Sequence, residues 1–226
     1  MATTNTIEYI TIANTGNATN FGDLTVSRNM ILDGTLSDGT KGLFCGGYSN
    51  TDTIDYVNIA STGDASDFGN LAAAKRETGG ANNTTRGLIS GGYTSGNINV
   101  IEYLTIASLG NSSDFGDLPT AKSGHGACSD GTKGIFGGGY AASATNEISY
   151  VNIASLGDGS DFGDLTRSSV YASACSDGTK GVFGGGGAHP AYVNTIDYIT
   201  IASLGNASDF GDLTEARDVT AAASGD

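Results

Sequence analysis

The chain has 226 residues, of which 36 are glycine, two are proline and none is tryptophan. This composition is typical of many short β-strands joined by tight turns and argues against a helical protein. With 24 acidic and 10 basic residues the formal net charge is −14, which disfavours binding to nucleic-acid phosphates or to an anionic membrane surface. We therefore expect no nucleic-acid partner and no membrane partner, and we expect neither a signal peptide nor a membrane span.

The sequence repeats with a period of about 47 residues. The tyrosines Tyr9, Tyr56, Tyr103, Tyr150 and Tyr198, and the phenylalanines Phe21, Phe68, Phe115, Phe162 and Phe210, both step by 47, 47, 47 and 48. Because two independent markers keep the same spacing, the period indicates a true internal repeat. We predict one domain over residues 1–226, with units at approximately 1–27, 28–74, 75–121, 122–168 and 169–216, and with 217–226 closing the first.

Each complete unit is predicted to contain four strands, called A to D in chain order. In one unit they are residues 122–130, 132–140, 147–155 and 160–165. Asp130-Gly131 between A and B is a hairpin signal. Strand B reads GTKGIFGGGY here, which is not a phosphate-binding loop because Thr132 separates the glycine from the lysine. Four antiparallel strands at this period predict a β-propeller blade.

One predicted blade is incomplete. The first residues, MATTNTIEYITIA, match strand C, and the last, EARDVTAAASGD, match strand A. The chain therefore holds four B segments against five of each other kind. We predict an all-β, five-bladed β-propeller in which one blade is closed by both termini and lacks one strand. Its unpaired edges could be satisfied by water, by a shifted terminus, by a longer chain or by a strand donated by a partner.

A pair of charged residues recurs in the repeat. The acids are Glu8, Asp55, Glu102 and Asp197, and the bases twenty residues later are Arg28, Lys75, Lys122 and Arg217; in the remaining unit both positions are serine, Ser149 and Ser169. The paired change predicts a half-buried contact between strand C and the following strand A, because a single loss would leave a buried charge unpaired. Arg167 is a candidate to replace the base missing at position 169.

These elements resemble the kelch repeat. The resemblance is carried by the glycine pairs at 46–47, 91–92, 138–139 and 185–186, followed by the repeat tyrosine, the repeat phenylalanine and the base. Phenylalanine stands where kelch repeats favour tryptophan, so the repeat is kelch-like. The number and length of the repeats are similar to those of five-bladed tachylectin-type lectins. Stretches such as NFGDLT and GTKGLFCGGY also resemble repeats in uncharacterised tailed-phage proteins, which implies a virion or another extracellular assembly.

Few residues are suited to catalysis or to metal binding. His125 and His189 are the only histidines, and neither has a second ligand at useful spacing. The acidic loops between C and D, with Asp64, Asp67, Asp158 and Asp161, are the best calcium candidates, although turns that cap a blade corner explain these residues more simply. We expect no enzyme activity, no metal and no cofactor.

The loops at one end of the predicted blades differ from unit to unit, and such loops commonly carry a binding surface. These are residues 49–53, 94–100, 141–147 and 187–195. The predicted contact residues in and beside them are Tyr48, Tyr93, Tyr140, His189 and Tyr192. We therefore expect a non-catalytic interaction or structural module whose variable-loop face binds a protein; the alternative is a glycan-binding lectin.

Overall fold

The computed structural model describes residues 3–29, 34–48, 51–188 and 191–222. These ranges form an N-terminal hairpin of β1 (Thr4–Tyr9) and β2 (Thr19–Arg28), followed by four antiparallel four-stranded sheets. Sheet 1 holds β3 (Thr35–Ser37), β4 (Lys41–Cys45), β5 (Thr53–Asn58) and β6 (Ser66–Asn70). Sheet 2 holds β7 (Gly79–Asn82), β8 (Arg86–Ser90), β9 (Val100–Thr105) and β10 (Ser113–Asp117).

Sheet 3 holds β11 (Gly126–Ser129), β12 (Lys133–Gly137), β13 (Glu147–Asn152) and β14 (Ser160–Asp164). Sheet 4 holds β15 (Ser173–Ser176), β16 (Lys180–Gly184), β19 (Thr195–Thr200) and β20 (Ser208–Asp212), and a small hairpin of β17 (Gly187–Ala188) and β18 (Ala191–Tyr192) projects from it. In every four-stranded sheet the strands pair in chain order, as the prediction of strands A to D required. The chain is all-β, and its arrangement is consistent with a β-propeller-like fold. Across the described ranges, no helix is long and apolar enough to span a membrane.

The two residue series that reveal the repeat contact each other in every unit. The repeat tyrosine on the third strand meets the repeat phenylalanine on the fourth in an edge-to-face arrangement, with ring centroids 5.9–6.3 Å apart: Tyr9–Phe21, Tyr56–Phe68, Tyr103–Phe115, Tyr150–Phe162 and Tyr198–Phe210. Such pairs add to the stabilisation from burial. The common period of the two series therefore has a direct physical cause.

The hydrophobic core lies between consecutive sheets. Leu43 and Ile54 of sheet 1 pack with Ile89 and Leu104 of sheet 2. Similar clusters join sheets 2 and 3 and sheets 3 and 4, and a smaller one joins the N-terminal hairpin to sheet 1. Sheets 1, 2 and 3 are each covered on both faces by neighbouring units, which explains why their strands are apolar on both sides.

Backbone hydrogen bonds repeat at the joins between these units. In each join the glycine of the loop between the third and fourth strands donates its N–H to the carbonyl of the preceding unit's repeat phenylalanine: Gly63 to Phe21, Gly110 to Phe68, Gly157 to Phe115 and Gly205 to Phe162, at 2.8–2.9 Å. The glycine after each of these phenylalanines permits the approach, since a Cβ on Gly116 would lie 2.5 Å from the Gly157 carbonyl oxygen. The Phe-Gly pair of each unit therefore forms the backbone contact with the next unit.

The repeated ion pair forms, but between other partners than predicted. Arg28 pairs with Asp55, Lys75 Nζ lies 2.8 Å from Glu102 Oε1, and Lys122 Nζ lies 3.3 Å from Glu147 Oε1. The predicted connectivity, Glu8–Arg28, Asp55–Lys75, Glu102–Lys122 and Asp197–Arg217, is wrong. In sheets 1, 2 and 3 the base that precedes the first strand reaches across the second strand to an acid on the third strand, 27 residues later in the first two pairs.

The two serines are not each other's partners either. Ser149 Oγ donates to the carbonyl of Phe136, and Ser169 Oγ donates to the carbonyl of Gly185. Lys122 keeps an acid because Glu147 lies two residues before Ser149 on the same strand. Asp197 accepts from the N–H and hydroxyl of Thr166 at 2.9 and 2.7 Å, and Arg167 is exposed, so no bond of the described residues fits its predicted role as a replacement base.

The two ends of the chain contact different sheets. The C-terminal segment, residues 217–222, docks on sheet 4, where the Arg217 carbonyl accepts from Gly186 N at 2.8 Å and Thr220 bonds Ser173. The N-terminal hairpin docks on sheet 1 through Phe21. Within the described residues no bond joins Gly16 to Phe210 in the manner of the other joins, and Phe210 is 58% exposed.

Candidate functional site

Three of the predicted tyrosines are held at one end of the sheets by backbone pairing. Tyr48 N donates to Asn29 O at 2.7 Å, and Tyr140 N donates to Ser123 O at 2.8 Å. Tyr93 and Arg76 exchange two backbone hydrogen bonds, of 2.8 and 3.2 Å. Each of these three tyrosines is therefore fixed opposite the residue that follows the buried base of its sheet.

Arg76 lies between two of the predicted tyrosines. Its guanidinium carbon is 4.5 Å from the ring centre of Tyr93 in the same sheet and 4.9 Å from that of Tyr48 in the preceding sheet. Both distances are within the range of cation–π attraction. We call Tyr48, Arg76 and Tyr93 the Tyr–Arg–Tyr cluster. It joins residues of two sheets, and its outermost ring, Tyr48, is 44% exposed.

The carboxylate of Glu77 fixes the position of the Arg76 guanidinium. Its carboxylate accepts from Arg76 Nε at 3.2 Å, from Ser123 Oγ at 3.1 Å and from the Tyr171 hydroxyl at 3.3 Å. Burial of the Tyr171 hydroxyl and the nearby Glu77 charge raise the pKa of Tyr171 to about 12, so this phenol stays protonated and remains a donor. The Glu77 carboxylate thus accepts hydrogen bonds from three donors, and its charge partly neutralises the guanidinium of Arg76.

Backbone strain marks the same support. Glu77 has φ +59°, and Tyr171 at the corresponding place of sheet 4 has φ +60°. Gly124, the counterpart in sheet 3, has φ +61° and donates its N–H to Glu77 O, while Tyr171 N donates to Gly124 O. A non-glycine residue with this left-handed φ costs about 1–3 kcal/mol of folding free energy. The hydrogen bonds that the side chains of Glu77 and Tyr171 form explain why these residues stand here instead of glycine.

The cluster occurs at one join of the described structure. The counterparts of Arg76 in sheets 3 and 4 are Ser123 and Val170, neither of which carries a charge. Sequence reasoning missed Arg76, Glu77 and Tyr171 as parts of the site. The signal was present in the repeat, since a base directly follows the scaffold base only in this unit.

The remaining predicted contact residues do not join the cluster. Tyr140 is 48% exposed, and its carbonyl accepts from Asn97 Nδ2 at 2.8 Å. Tyr192 is 45% exposed on β18. His189 lies outside the described residues. The structure therefore brings together two of the five predicted contact residues, Tyr48 and Tyr93.

The other histidine is part of the packing. His125 is buried, with Nε2 2.9 Å from Ser90 Oγ and its ring edge-to-face with Phe136 at 6.0 Å. Desolvation, helped by the charge of Lys122, lowers the pKa of His125 to about 3. The side chain is therefore neutral at physiological pH.

The acidic loop residues connect sheets. Asp64 Oδ1 and Asp158 Oδ1 each accept from a backbone N–H of the preceding unit, that of Asp23 or Asp117, at 3.0 Å. The expected local turn caps are thus contacts between units. Among the described residues, no three His, Cys, Asp or Glu side chains are grouped in a way that could hold a metal ion.

A cavity of about 970 Å³ opens at the opposite end of the sheets, lined by their first strands and by the turns that follow. These turns are built alike. Asp38, Asp130 and Asp177 each accept two backbone N–H bonds through Oδ1, as Asn83 does in sheet 2. The N–H groups of Lys180 and Thr179 hold the pKa of Asp177 below its ordinary value. These oxygens are occupied in shaping the turns, so the Tyr–Arg–Tyr cluster remains the better candidate for a site.

No protein-family model matches the chain, and no curated protein sequence matches it.

Proposed function

We propose that the protein is a non-catalytic interaction module, a five-bladed β-propeller of kelch-like repeats that binds a protein partner through the Tyr–Arg–Tyr cluster and the loops around it. A virion or another extracellular assembly is the setting that its repeat resemblance favours. The observation that carries the proposal is Arg76 stacked between Tyr48 and Tyr93 at the end of the sheets where the loops vary.

The composition of the cluster supports a protein partner. Tyrosine and arginine are among the residue types that contribute most to binding energy in protein interfaces. Here their conformations are fixed before binding, because Arg76 and Tyr93 are paired through the backbone and Glu77 holds the guanidinium. A prearranged surface loses less conformational entropy when it binds.

The proposal can be tested with a phage-displayed library of random 12-residue peptides, selected on the immobilised protein. Enriched peptides are then measured by surface plasmon resonance against the wild type, Tyr48→Ala, Arg76→Ala and Tyr93→Ala. We expect each substitution to weaken binding at least about tenfold, which corresponds to about 1.4 kcal/mol. Leu156→Ala is the matched control, since Leu156 is also exposed, at 59%, but lies in a loop between the third and fourth strands.

Two results would reject this assignment. Peptides whose affinity is unchanged by all three substitutions would place the binding surface elsewhere. Binding of several oligosaccharides per chain on a glycan array would favour the lectin alternative. A lectin with near-equivalent sites needs the same site residues in several units, whereas the arginine of this cluster has no charged counterpart in sheets 3 and 4.

A further inference from the structure

Three leucines are exposed at the same position of three consecutive sheets. Leu109, Leu156 and Leu204 lie in the loops between the third and fourth strands of sheets 2, 3 and 4, and they are 59%, 59% and 58% exposed. The other leucines of the described ranges are buried, apart from the half-buried Leu213. Sheet 1 has Thr62 at this position, so the fold does not require leucine here. Single exposed leucines are common, whereas a repeated set indicates an interaction surface.

The loops that carry these leucines lie against the fourth strand of the preceding sheet. Each loop donates two backbone N–H bonds to that strand, at 2.7–2.9 Å: Gly110 and Ser112 to β6, Gly157 and Gly159 to β10, and Gly205 and Ala207 to β14. The three loops and the fourth strands of sheets 2, 3 and 4 therefore alternate along one continuous surface.

This surface is acidic and carries no base. We call residues 106–117, 153–164 and 201–212 the Leu–Asp surface; they contain seven aspartates and no lysine, arginine or histidine. Six of these aspartates are exposed, and Asp164 is half-buried. The contacts between units do not require all of the charges. Asp158 accepts from Asp117 N at 3.0 Å, and the neutral Asn206 accepts from Asp164 N in the same way at 3.1 Å.

The backbone edges of β10 and β14 are already used by the neighbouring loops. In β10 the carbonyls of Phe115 and Asp117 accept from the loop of sheet 3, and the N–H of Asp117 donates to the Asp158 carboxylate. A partner therefore cannot add a strand to this edge without displacing the loop. The groups that remain free to bind a partner are the leucine and aspartate side chains.

The sign of the charge decides which partner fits. A second copy of the chain, bound through the same surface, would bring aspartates against aspartates, and each copy has a net charge of −14. Like charges across an interface disfavour binding, and an anionic membrane is disfavoured for the same reason. A polypeptide with apolar and basic side chains complements the surface, because its apolar residues cover the leucines and its bases meet the carboxylates.

We propose that the Leu–Asp surface binds a basic, amphipathic segment of a partner protein. The three leucines contact the apolar side chains of the segment, and the aspartates attract and orient its lysines and arginines. This surface lies at the opposite end of the third strands from the variable loops, so it is a second binding surface beside the Tyr–Arg–Tyr cluster.

The test uses two fluorescein-labelled twelve-residue peptides of equal charge. In one, lysine alternates with leucine, and in the other, lysine alternates with serine. Each is titrated with the whole protein and followed by fluorescence anisotropy. The lysine–leucine peptide should bind saturably and at least about tenfold more tightly than the lysine–serine peptide. Raising the salt concentration from about 50 mM to about 500 mM should weaken the binding of both, because salt screens exposed charges.

The leucines are tested with a variant that copies the residue of sheet 1. Leu109→Thr, Leu156→Thr and Leu204→Thr combined place threonine where sheet 1 has Thr62. Tm should therefore stay close to that of the wild type. Binding of the lysine–leucine peptide should weaken at least about tenfold, and binding of the lysine–serine peptide should not change.

The aspartates are tested in the same way. Asp117→Asn, Asp158→Asn and Asp164→Asn combined copy Asn70, which is the counterpart of the first and third, and Asn111, which is the counterpart of the second. Because asparagine keeps the hydrogen bond to the neighbouring unit, Tm should again change little. Both peptides should bind more weakly, and the salt dependence of binding should decrease.

Tyr93→Ala changes the Tyr–Arg–Tyr cluster and is the matched control, which should bind the lysine–leucine peptide normally. The proposal is overturned if the wild type binds both peptides equally well, or if the threonine variant binds the lysine–leucine peptide as tightly as the wild type does.

Two further measurements examine other occupants. Sedimentation velocity would reveal a dimer that dissociates in the threonine variant, which would mean that a second copy covers the leucines. Phosphatidylcholine vesicles that bind the wild type and not this variant would indicate a lipid surface. Either result overturns the proposal. No variant of the Leu–Asp surface changes a residue of the Tyr–Arg–Tyr cluster, so either proposal can fail without the other.

Discussion

His125 is a buried residue whose protonation the fold opposes. Its pKa in the folded protein is about 3, against about 6.5 for an unperturbed histidine. Between these values the unfolded chain binds a proton that the native chain does not, so His125 makes the protein less stable as the pH falls below about 6.5. The loss approaches about 1.4 kcal/mol per pH unit, or about 2 kcal/mol between pH 6.5 and pH 5.

Urea unfolding of the wild type and of His125→Gln at these two pH values measures this contribution. Glutamine keeps a polar group near Ser90 and does not titrate. The wild type should lose about 2 kcal/mol more than the variant on going from pH 6.5 to pH 5. An equal loss in both proteins would show that His125 is protonated in the native state.

Lys75 and Glu102 are both buried, so each depends on the other for a counter-charge. Replacing one alone, by Lys75→Met or Glu102→Gln, should lower the free energy of unfolding by about 3 kcal/mol or more, because the other charge is left buried. The double variant should lose clearly less than the sum of the single losses. Combining Glu102→Gln with Lys122→Met is the control and should be additive, since Lys122 pairs with Glu147. Coupling in the control alone would restore the connectivity that the sequence suggested.

At the scale of strands, the sequence predicts much of the architecture. Asp-Gly turns and the tyrosine and phenylalanine series locate the strands of the complete units, because tight hairpins and pairs between neighbouring strands leave local signals. The pairing of charges was not predictable in the same way. For Arg28 and Lys75 an acid lies twenty residues before the base and another lies 27 residues after it, so spacing alone cannot choose between the two acids; the order of strands across the sheet decides. That Glu147 supplies the acid missing at position 149 could have been predicted, since residues two apart in a strand lie on the same face of the sheet.

The C-terminal segment contains a local conflict between residue type and backbone. Val219 has φ +49°, a region that β-branched residues rarely occupy, and it is 48% exposed. Its counterpart in sheet 3 is glycine, at position 124. Val219→Gly should therefore stabilise the protein by about 0.5–1 kcal/mol, because relief of strain exceeds the entropic cost of glycine.

Chemical denaturation of Val219→Gly and of Val219→Ala distinguishes strain from packing. Alanine removes most of the side chain but keeps the unfavourable φ, so it should give little of the gain. A loss of stability in the glycine variant would mean that the valine side chain contributes to docking on sheet 4.

At the scale of the whole molecule, the candidate site depends on which sheets are neighbours. The sequence identified Tyr48 and Tyr93 because aromatic residues beside variable loops are common contact residues. It did not identify Arg76, because an arginine next to a scaffold lysine is explained equally well as a solvated surface charge. Only the packing of sheet 1 against sheet 2 brings the tyrosines of both onto one guanidinium.

The joins between units predict where the molecule tolerates change. Gly116 and Gly211 hold the same position of the repeat with almost the same backbone, φ +147° and +145°. A Cβ on Gly116 would lie 2.5 Å from a carbonyl oxygen of sheet 3, whereas a Cβ on Gly211 would meet nothing within 4 Å. Alanine at either position has the same unfavourable φ, so the difference between the two losses of unfolding free energy measures the clash at the join alone.

Gly116→Ala should lose about 2 kcal/mol or more beyond the loss of Gly211→Ala in urea unfolding, because the clash separates two sheets whose stabilities are coupled through their interface. Equal losses would show that β20 packs against the N-terminal hairpin in solution as tightly as the internal sheets pack against each other.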